Sequence, residues 1–487
     1  MRALLLVIFT TVGAVGLSAE QGAVTATQLP VPGTSTSINT LNPSVTVQGP
    51  YSGSASSVDA MPFSGRLPLS EAVVRALGYN LGLIDATAAA RSVEADVRTA
   101  RSAFLPHVHV DYTQARRDTN LAAAGIHIDL PLPGFVFPTL VGPFNVVDVR
   151  VHLSQSIVNL SDWNAFRAAR ESVRESDFLV EDAKELVTLA VGAAYLQVLT
   201  SQARLVSARA QLETAEALYT QIAAERRVGL RAQIDVNRTQ VEVLTQRQRL
   251  VSLQTDLTRQ KINLARLTGL PPTDQYEVAG DVPYAAAPAL AVDEAIAEAL
   301  SQRADVKAAD AAVRAAERSR SAASAERLPS VSVNADYGAI GNEFSDARRT
   351  FAVVGTVRVP LWEGGRTEAH VQRADAVLRQ RRAERDNVRA QVVADVRNAW
   401  SEVQAATSQV DLATANLATV RETLDLTRQR FQAGITDSLE VVRAQEGVAT
   451  ADLDYINSVF AHNLAKLALA RALGRAATEL DRFLVVR

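Results

Sequence analysis

The chain has 487 residues, a formal net charge of −3 and no cysteine. A balance this close to neutral gives no field for nucleic acid. The missing thiols exclude disulfides, thiolate metal sites, cysteine nucleophiles and a lipid-anchored N-terminal Cys. Ala, Leu, Val, Arg, Gln and Glu dominate, and aromatics make up only 5% of the chain, a composition suited to long helices. From the N-terminus, Arg2, the apolar Ala3–Phe9 and Leu17-Ser18-Ala19 predict a cleaved secretory signal over residues 1–19. No other segment approaches the roughly 20 apolar residues of a spanning helix. A place in a membrane would therefore require a β-barrel. Residues 20–66 are rich in Ser, Thr, Gly, Pro and Val and are expected to form an irregular extension.

The rest of the chain is written twice. Residues 67–113 align without a gap on 290–336, so that Leu77 falls on Leu300, Pro106 on Pro329 and Val108 on Val331. Further on, RVGLRAQIDVNRTQ (227–240) falls on QAGITDSLEVVRAQ (432–445), and LARLTG (264–269) on LARALG (469–474). Matched segments in a fixed order mark a duplicated domain. The first copy covers 67–269 and the second 290–475, with a linker at 270–289 and a tail at 476–487.

Each copy opens with a helix, predicted at about 70–103 in the first and 293–326 in the second. Two strands follow, at about 105–115 and 147–158, then again at about 328–338 and 351–361. In the first copy Val108, Val110 and Tyr112 alternate with His107, His109, Asp111 and Thr113, and Val147, Val149, Val151 and Leu153 with Asp148, Arg150, His152 and Ser154. In the second copy Val331, Val333 and Tyr337 oppose Ser330, Ser332, Asn334 and Asp336. Such alternation fits a half-buried soluble strand and equally a barrel with lipid outside and water inside. The stretch 114–146, with its several Gly and Pro, is expected to be a long loop.

Helices then run at about 161–227 and 231–269, and again at about 366–432 and 437–474. Val392, Val396, Ala399, Val403, Ala406, Val410, Ala413, Leu417, Val420, Leu424, Thr427 and Phe431 keep a 4-3 spacing without a slip. The first copy carries the same ladder from Val187 through Val191, Ala194, Val198, Ser201, Leu205, Ala208, Leu212, Ala215 and Tyr219 to Ile222. A sustained heptad means coiled-coil packing, and at about 1.5 Å per residue the first long helix reaches roughly 100 Å. Gly229 and Gly434 stand between the paired helices, where a C-terminal cap needs positive φ, and Thr436 and Asp437 can cap the helix after Gly434.

These features, together with VPLWEGG (359–365), resemble the TolC family of outer-membrane efflux proteins over about residues 67–475. The first copy departs from the pattern in having Val158-Asn159-Leu160-Ser161 where the second has Trp362-Glu363-Gly364-Gly365. The resemblance implies an α+β membrane protein: a shared transmembrane β-barrel with four strands per chain, continuous with a periplasmic α-helical coiled-coil barrel. It implies a homotrimer in outer-membrane lipid. Its partners would be a periplasmic adaptor (membrane fusion) protein and an inner-membrane efflux pump or ABC transporter. Four strands alone cannot close a barrel, since the smallest bacterial ones have about eight; a dimer would reach that minimum, and only the family selects three.

By the same resemblance Asp235 and Glu440, each six residues after a tip glycine, would ring a periplasmic gate. As acids in the first turns of helices they also complement the dipole. Phe431 stands at a gating Tyr position, Thr436 at a gating Arg position and Arg443 at a second acidic one. Either Arg443 pairs with Asp235 or Glu440, or the lock is weaker here. The tips Val228, Gly229, Leu230 and Ala433, Gly434, Ile435 would meet the adaptor. His107, His109 and His152 read as polar residues facing a lumen, with a metal site as the lesser alternative, and Arg150 and Arg358 as its basic tint or as solvated surface. Trp163 and Trp362 read as interfacial anchors and Trp400 as packing beside the seam. No nucleophile elbow, phosphate loop or helix-borne ligand pair is present, so no enzyme, cofactor or metal is expected. The expected function is an outer-membrane exit duct of a tripartite efflux or type I secretion system. The rival is a soluble periplasmic coiled-coil scaffold or adaptor.

Overall fold

The computed structural model describes residues 23–30, 37–38, 41–55, 63, 65–123, 125, 139–271, 276–280, 284–288 and 290–484. The expected signal segment lies outside them. The elements in order are β1 (Val24–Pro30), β2 (Leu41–Val47), β3 (Gly65–Leu67), α1 (Leu69–Tyr79), α2 (Leu81–Ser102), β4 (His107–Asn120), β5 (Leu140–Val158), α3 (Leu160–Arg227) and α4 (Gln233–Thr268). Then come β6 (Tyr276–Val278), α5 (Val292–Gln302), α6 (Ala304–Ala325), β7 (Ser330–Gly341), β8 (Arg348–Arg358), α7 (Arg366–Gln432), α8 (Ser438–Ala472) and the short α9 (Leu480–Phe483).

Four expectations need correction. The extension 20–66 is not irregular throughout, because β1 and β2 form an antiparallel pair with Val24 opposite Val47 and Ala26 opposite Val45. Their apolar side joins the core, and polar groups pin the rest: Gln28 Nε2 donates to the Ala461 carbonyl at 2.6 Å, and the Asp454 carboxylate accepts from Ser37 Oγ at 2.8 Å and Ile38 N at 3.0 Å. The opening helix of each copy is two helices. The first pair parts at Asn80 (ψ 129°) and the second at Arg303 (ψ 135°), where ψ leaves the helical range. Asn80 is fully buried, its Oδ1 accepting from Gly82 N at 2.9 Å and its Nδ2 donating to the Tyr51 carbonyl at 3.0 Å; a side chain that bonds backbone groups in this way competes with the helix. Arg303 reaches Asp395 at 3.0 Å.

The long loop is shorter than 114–146, because pairing of β4 with β5 continues to Asn120 opposite Leu140. Gln114–Asn120 is polar on both faces, so the apolar alternation fades while the backbone ladder goes on. Finally, β8 stops at Arg358 opposite Ser330 and does not reach 361; Pro360 has no N–H to extend a ladder.

The chain divides into two compact units. One gathers the residues up to Ala88, Leu179–Ala304 and those from Arg389 onward; the other gathers Ala89–Phe178 and Asp305–Val388. In the first unit the heptad ladders are the core: Val187, Val191, Val198, Ser201, Leu205, Ala208 and Ile222 are buried on α3, and Val392, Val396, Ala399, Val403, Ala406, Val410, Ala413, Leu417, Leu424 and Phe431 on α7. Gly192 marks the close approach of α3 to α8, since a Cβ there would stand 2.8 Å from Leu467 Cδ2. Among the described residues α3 alone holds a window apolar enough to cross a membrane, and 72% of that window is buried, so it is core. Tyr195 is buried in this core, its single hydroxyl proton within reach of two carbonyls, Leu67 at 2.9 Å and Ala279 at 2.6 Å; burial pushes its pKa up to about 12.

In the second unit α6 packs on α7 through Val313, Ala316 and Leu378 and binds α3 through Arg314 to Glu171 at 2.9 Å. Its sheet is antiparallel with strand order β4-β5-β7-β8. Register sorts the two faces into rows. One face carries Val108–Leu153–Ala335–Val353 and Val110–Val151–Tyr337–Phe351. The other carries His109–His152–Asp336–Ala352 and Asp111–Arg150–Gly338–Thr350. Val108, Val110, Tyr337, Phe351, Val353 and Val357 are all more than half exposed within one chain. A water-soluble sheet would have to cover such a face, whereas lipid covers it without further structure.

Candidate aperture at the hairpin tips

Both long helical hairpins of the first unit end in the same backbone motif. Gly229 has φ 79° and Gly434 φ 74°. At the first tip Gly229 N donates to Arg226 O and Leu230 N to Glu225 O; at the second Gly434 N donates to Phe431 O and Ile435 N to Arg430 O. These paired bonds form a Schellman cap, which needs a left-handed residue. Open space surrounds both glycines, so the positive φ alone demands them. The apolar tip residues are not folded back onto the helices. Val228 is 71% exposed, Leu230 74% and Ile435 67%.

Past the turns the two tips differ. Asp437 caps α8, its Oδ1 accepting from Leu439 N at 3.0 Å and Glu440 N at 3.2 Å. The equivalent residue before α4 is Ala232, with no side-chain cap. Thr436 does not cap; its hydroxyl donates to the Glu440 carboxylate one turn on.

Asp235 and Glu440, equivalent in sequence, occupy different surroundings. The Asp235 side chain is only 17% exposed, and its Oδ1 accepts from Ser438 Oγ of the other hairpin at 2.8 Å. Glu440 is exposed and bonded within its own turn. Arg443 is exposed and pairs with neither acid within one chain among the described residues. Its charge works instead on Glu446, whose carboxyl is pushed up by burial and by the Glu242 charge and is pulled back by Arg443.

An apolar plug joins the hairpins beneath the turns. Leu218, Ile222, Phe431 and Val441 are buried together, with Val236 and Val442 beside them. The Arg231 guanidinium sits 4.2 Å from the centroid of the Phe431 ring, a cation–π contact. Arg231 also donates to Glu225 Oε2 at 2.8 Å, which with the Gln221 amide holds the Glu225 carboxyl below its usual range. Sequence reasoning passed over Arg231, Ser438 and Glu225. Phe431, which cannot form the hydrogen bond of a tyrosine, packs the tips together.

The sequence profile of the family described as outer membrane efflux protein matches residues 72–270 and 295–475. The chain belongs to this family. It is 26% identical over 432 residues to the outer membrane efflux protein BepC of Brucella suis, covering 85% of this chain and 87% of that one. It is 23% identical over 393 residues to the outer membrane protein TolC of Vibrio cholerae, covering 78% and 84%. Its fold is similar to the open state of the MtrE outer membrane channel of Neisseria gonorrhoeae, with TM-score 0.69 and 17% identity, over 93% of this chain and 96% of that one. The protein is an outer-membrane channel with a periplasmic helical tunnel and serves as the exit duct of an efflux system. Its family is one of channels, and the rival reading as a soluble scaffold falls. Channels of this family work within tripartite efflux systems.

Proposed function

We propose that three copies of this chain close one barrel, each contributing the sheet β4-β5-β7-β8, and that their hairpin tips converge on a gated periplasmic aperture. The observation that carries the reading is the sheet itself. Among the described residues it has four strands, two unpaired edges at β4 and β8, and one exposed apolar face. An open edge of this length demands a partner strand. A stripe on α4 adds to it, with Val241, Leu244 and Val251 all more than half exposed in one chain.

In the assembly Asp235, Glu440 and Arg443 form the gate. Opening requires the hairpins to part at Asp235–Ser438 and around Phe431, while the three exposed Glu440 carboxylates favour cations. Val228, Gly229, Leu230 and Ala433, Gly434, Ile435 dock a periplasmic adaptor, for which their exposed apolar side chains are suited. An inner-membrane efflux pump or ABC transporter supplies the work, in tripartite efflux or type I secretion. Residues 1–19 are a cleaved export signal. Native mass spectrometry of the detergent-extracted protein tests the assembly. Three copies per particle are expected, and a monodisperse monomer would overturn the shared barrel.

A further inference from the structure

The polar face of the sheet holds a cluster that the channel reading leaves unused. His109 on β4 and His152 on β5 are direct cross-strand partners, and their rings stack at 5.1 Å between centroids with 19° between planes. Asp111 lies two residues along on the same face. Its Oδ2 is 3.7 Å from His109 Nε2 and 3.5 Å from His152 Nε2, and all three ligand atoms lie within 4.8 Å of one another. We propose that His109, His152 and Asp111 form a binding site for a divalent transition ion of borderline softness, such as Zn2+, Ni2+ or Cu2+.

Geometry supports the assignment first. Ligand atoms about 2.0–2.1 Å from a tetrahedral zinc stand roughly 3.4 Å apart. The two printed N···O separations are already close to that, and the side chains are exposed enough to rotate the third pair inward. Two imidazole nitrogens and one carboxylate are the donors such ions prefer, whereas Mg2+ and Ca2+ favour oxygen alone. The remaining coordination positions face water, so the ion can exchange.

Electrostatics supports it next. The residue directly opposite Asp111 is Arg150, the expected partner for its charge. The guanidinium turns away instead, to Asp336, to Asp148 at 3.4 Å and to Thr350 at 3.0 Å. Asp111 is left to the two imidazoles among the described residues. Arg150 thus serves Asp148 and Asp336, and a divalent ion at Asp111 would offset the excess of three carboxylates over one guanidinium. His107 takes no part, since it lies opposite Ser154.

The test is isothermal titration of ZnCl2 into the detergent-extracted protein, purified without a polyhistidine tag. Binding does not require conduction, so this result stands apart from the fate of the gate. Wild type should bind one Zn2+ per chain, and Mg2+ should neither bind there nor displace it. Losing even a residue that only hydrogen-bonds a metal ligand costs about 10–100-fold in affinity, so His109→Ala/His152→Ala should bind at least about 100-fold more weakly. His370→Ala, which removes a distant imidazole bonded to Glu326, should bind as wild type does. No saturable binding by wild type, or equal binding by the double variant, would overturn the site.

Discussion

The two hairpin tips descend from one repeated sequence, share one capping motif, and hold their acids differently. At the first tip Asp235 is drawn into a bond with Ser438 of the second hairpin; at the second tip Glu440 stays exposed and bonds to its own Thr436. The exchange is complementary. The first hairpin supplies Arg231 and Asp235, and the second supplies the Phe431 ring and the Ser438 hydroxyl that receive them. Duplication provided two equivalent acids, and divergence left one to tie hairpin to hairpin and the other to face solvent.

The comparison breaks first at Phe431. Phe431→Ala opens a cavity in the buried plug and removes the seat of Arg231, a change that costs about 3–5 kcal/mol. Hydrogen exchange of the tip amides should accelerate on both hairpins together; acceleration confined to α7 would mean that the tips are not coupled.

The helical body beneath the tips supplies a pH test. His462 is fully buried on α8, and burial, then the Lys466 charge, lowers its pKa to about 4. Between that value and its ordinary one of about 6.5 the unfolded chain binds more protons than the folded one, so stability is lost as pH falls through this window. A shift of this size is worth about 3 kcal/mol per chain. The melting temperature of wild type should drop between about pH 6.5 and pH 4, and His462→Leu should flatten that drop. Lys466, lowered to about 8 by burial, acts in the alkaline range, where stability should rise with pH between about 8 and the ordinary lysine value.

Single-acid variants sharpen the contrast between the tips. Asp235→Ala removes a charged acceptor of an interhairpin bond and should cost about 1.5–3 kcal/mol of tip stability. Glu440→Ala, at an exposed position, should stay within about 0.5 kcal/mol. Equal costs in hydrogen exchange would erase the asymmetry. The caps lie between these two acids in expected effect. Asp437→Ala should cost about 1 kcal/mol, and Ala232→Asp should stabilise the first tip by a similar amount. Both are readable as changes in amide protection over the first turns of α8 and α4.

Much of this was legible in the chain, for identifiable reasons. The ladders from Val187 and Val392 could be read because burial repeats along one helix, and the two tip glycines because only glycine takes positive φ without strain. The breaks at Asn80 and Arg303 were hidden, since their cause lies in distant partners such as Tyr51 and Asp395. The pair β1 and β2 has its own alternation, Val24 with Ala26 and Val45 with Val47, masked by the Ser and Pro around it. Alternation put His109 and Asp111 on one face, but the register that sets His152 beside them belongs to the pairing of two strands. The Asp235–Ser438 bond joins residues far apart in sequence and has no local signal.

Single-channel recording in planar bilayers, with wild type set against Asp235→Ala/Glu440→Ala, decides whether the chain forms a duct with its aperture at the tip acids. Small, cation-selective currents are expected from wild type, and larger or less selective currents from the double variant. Absence of channel activity from both, with the protein extracted as a soluble monomer, would contradict the duct.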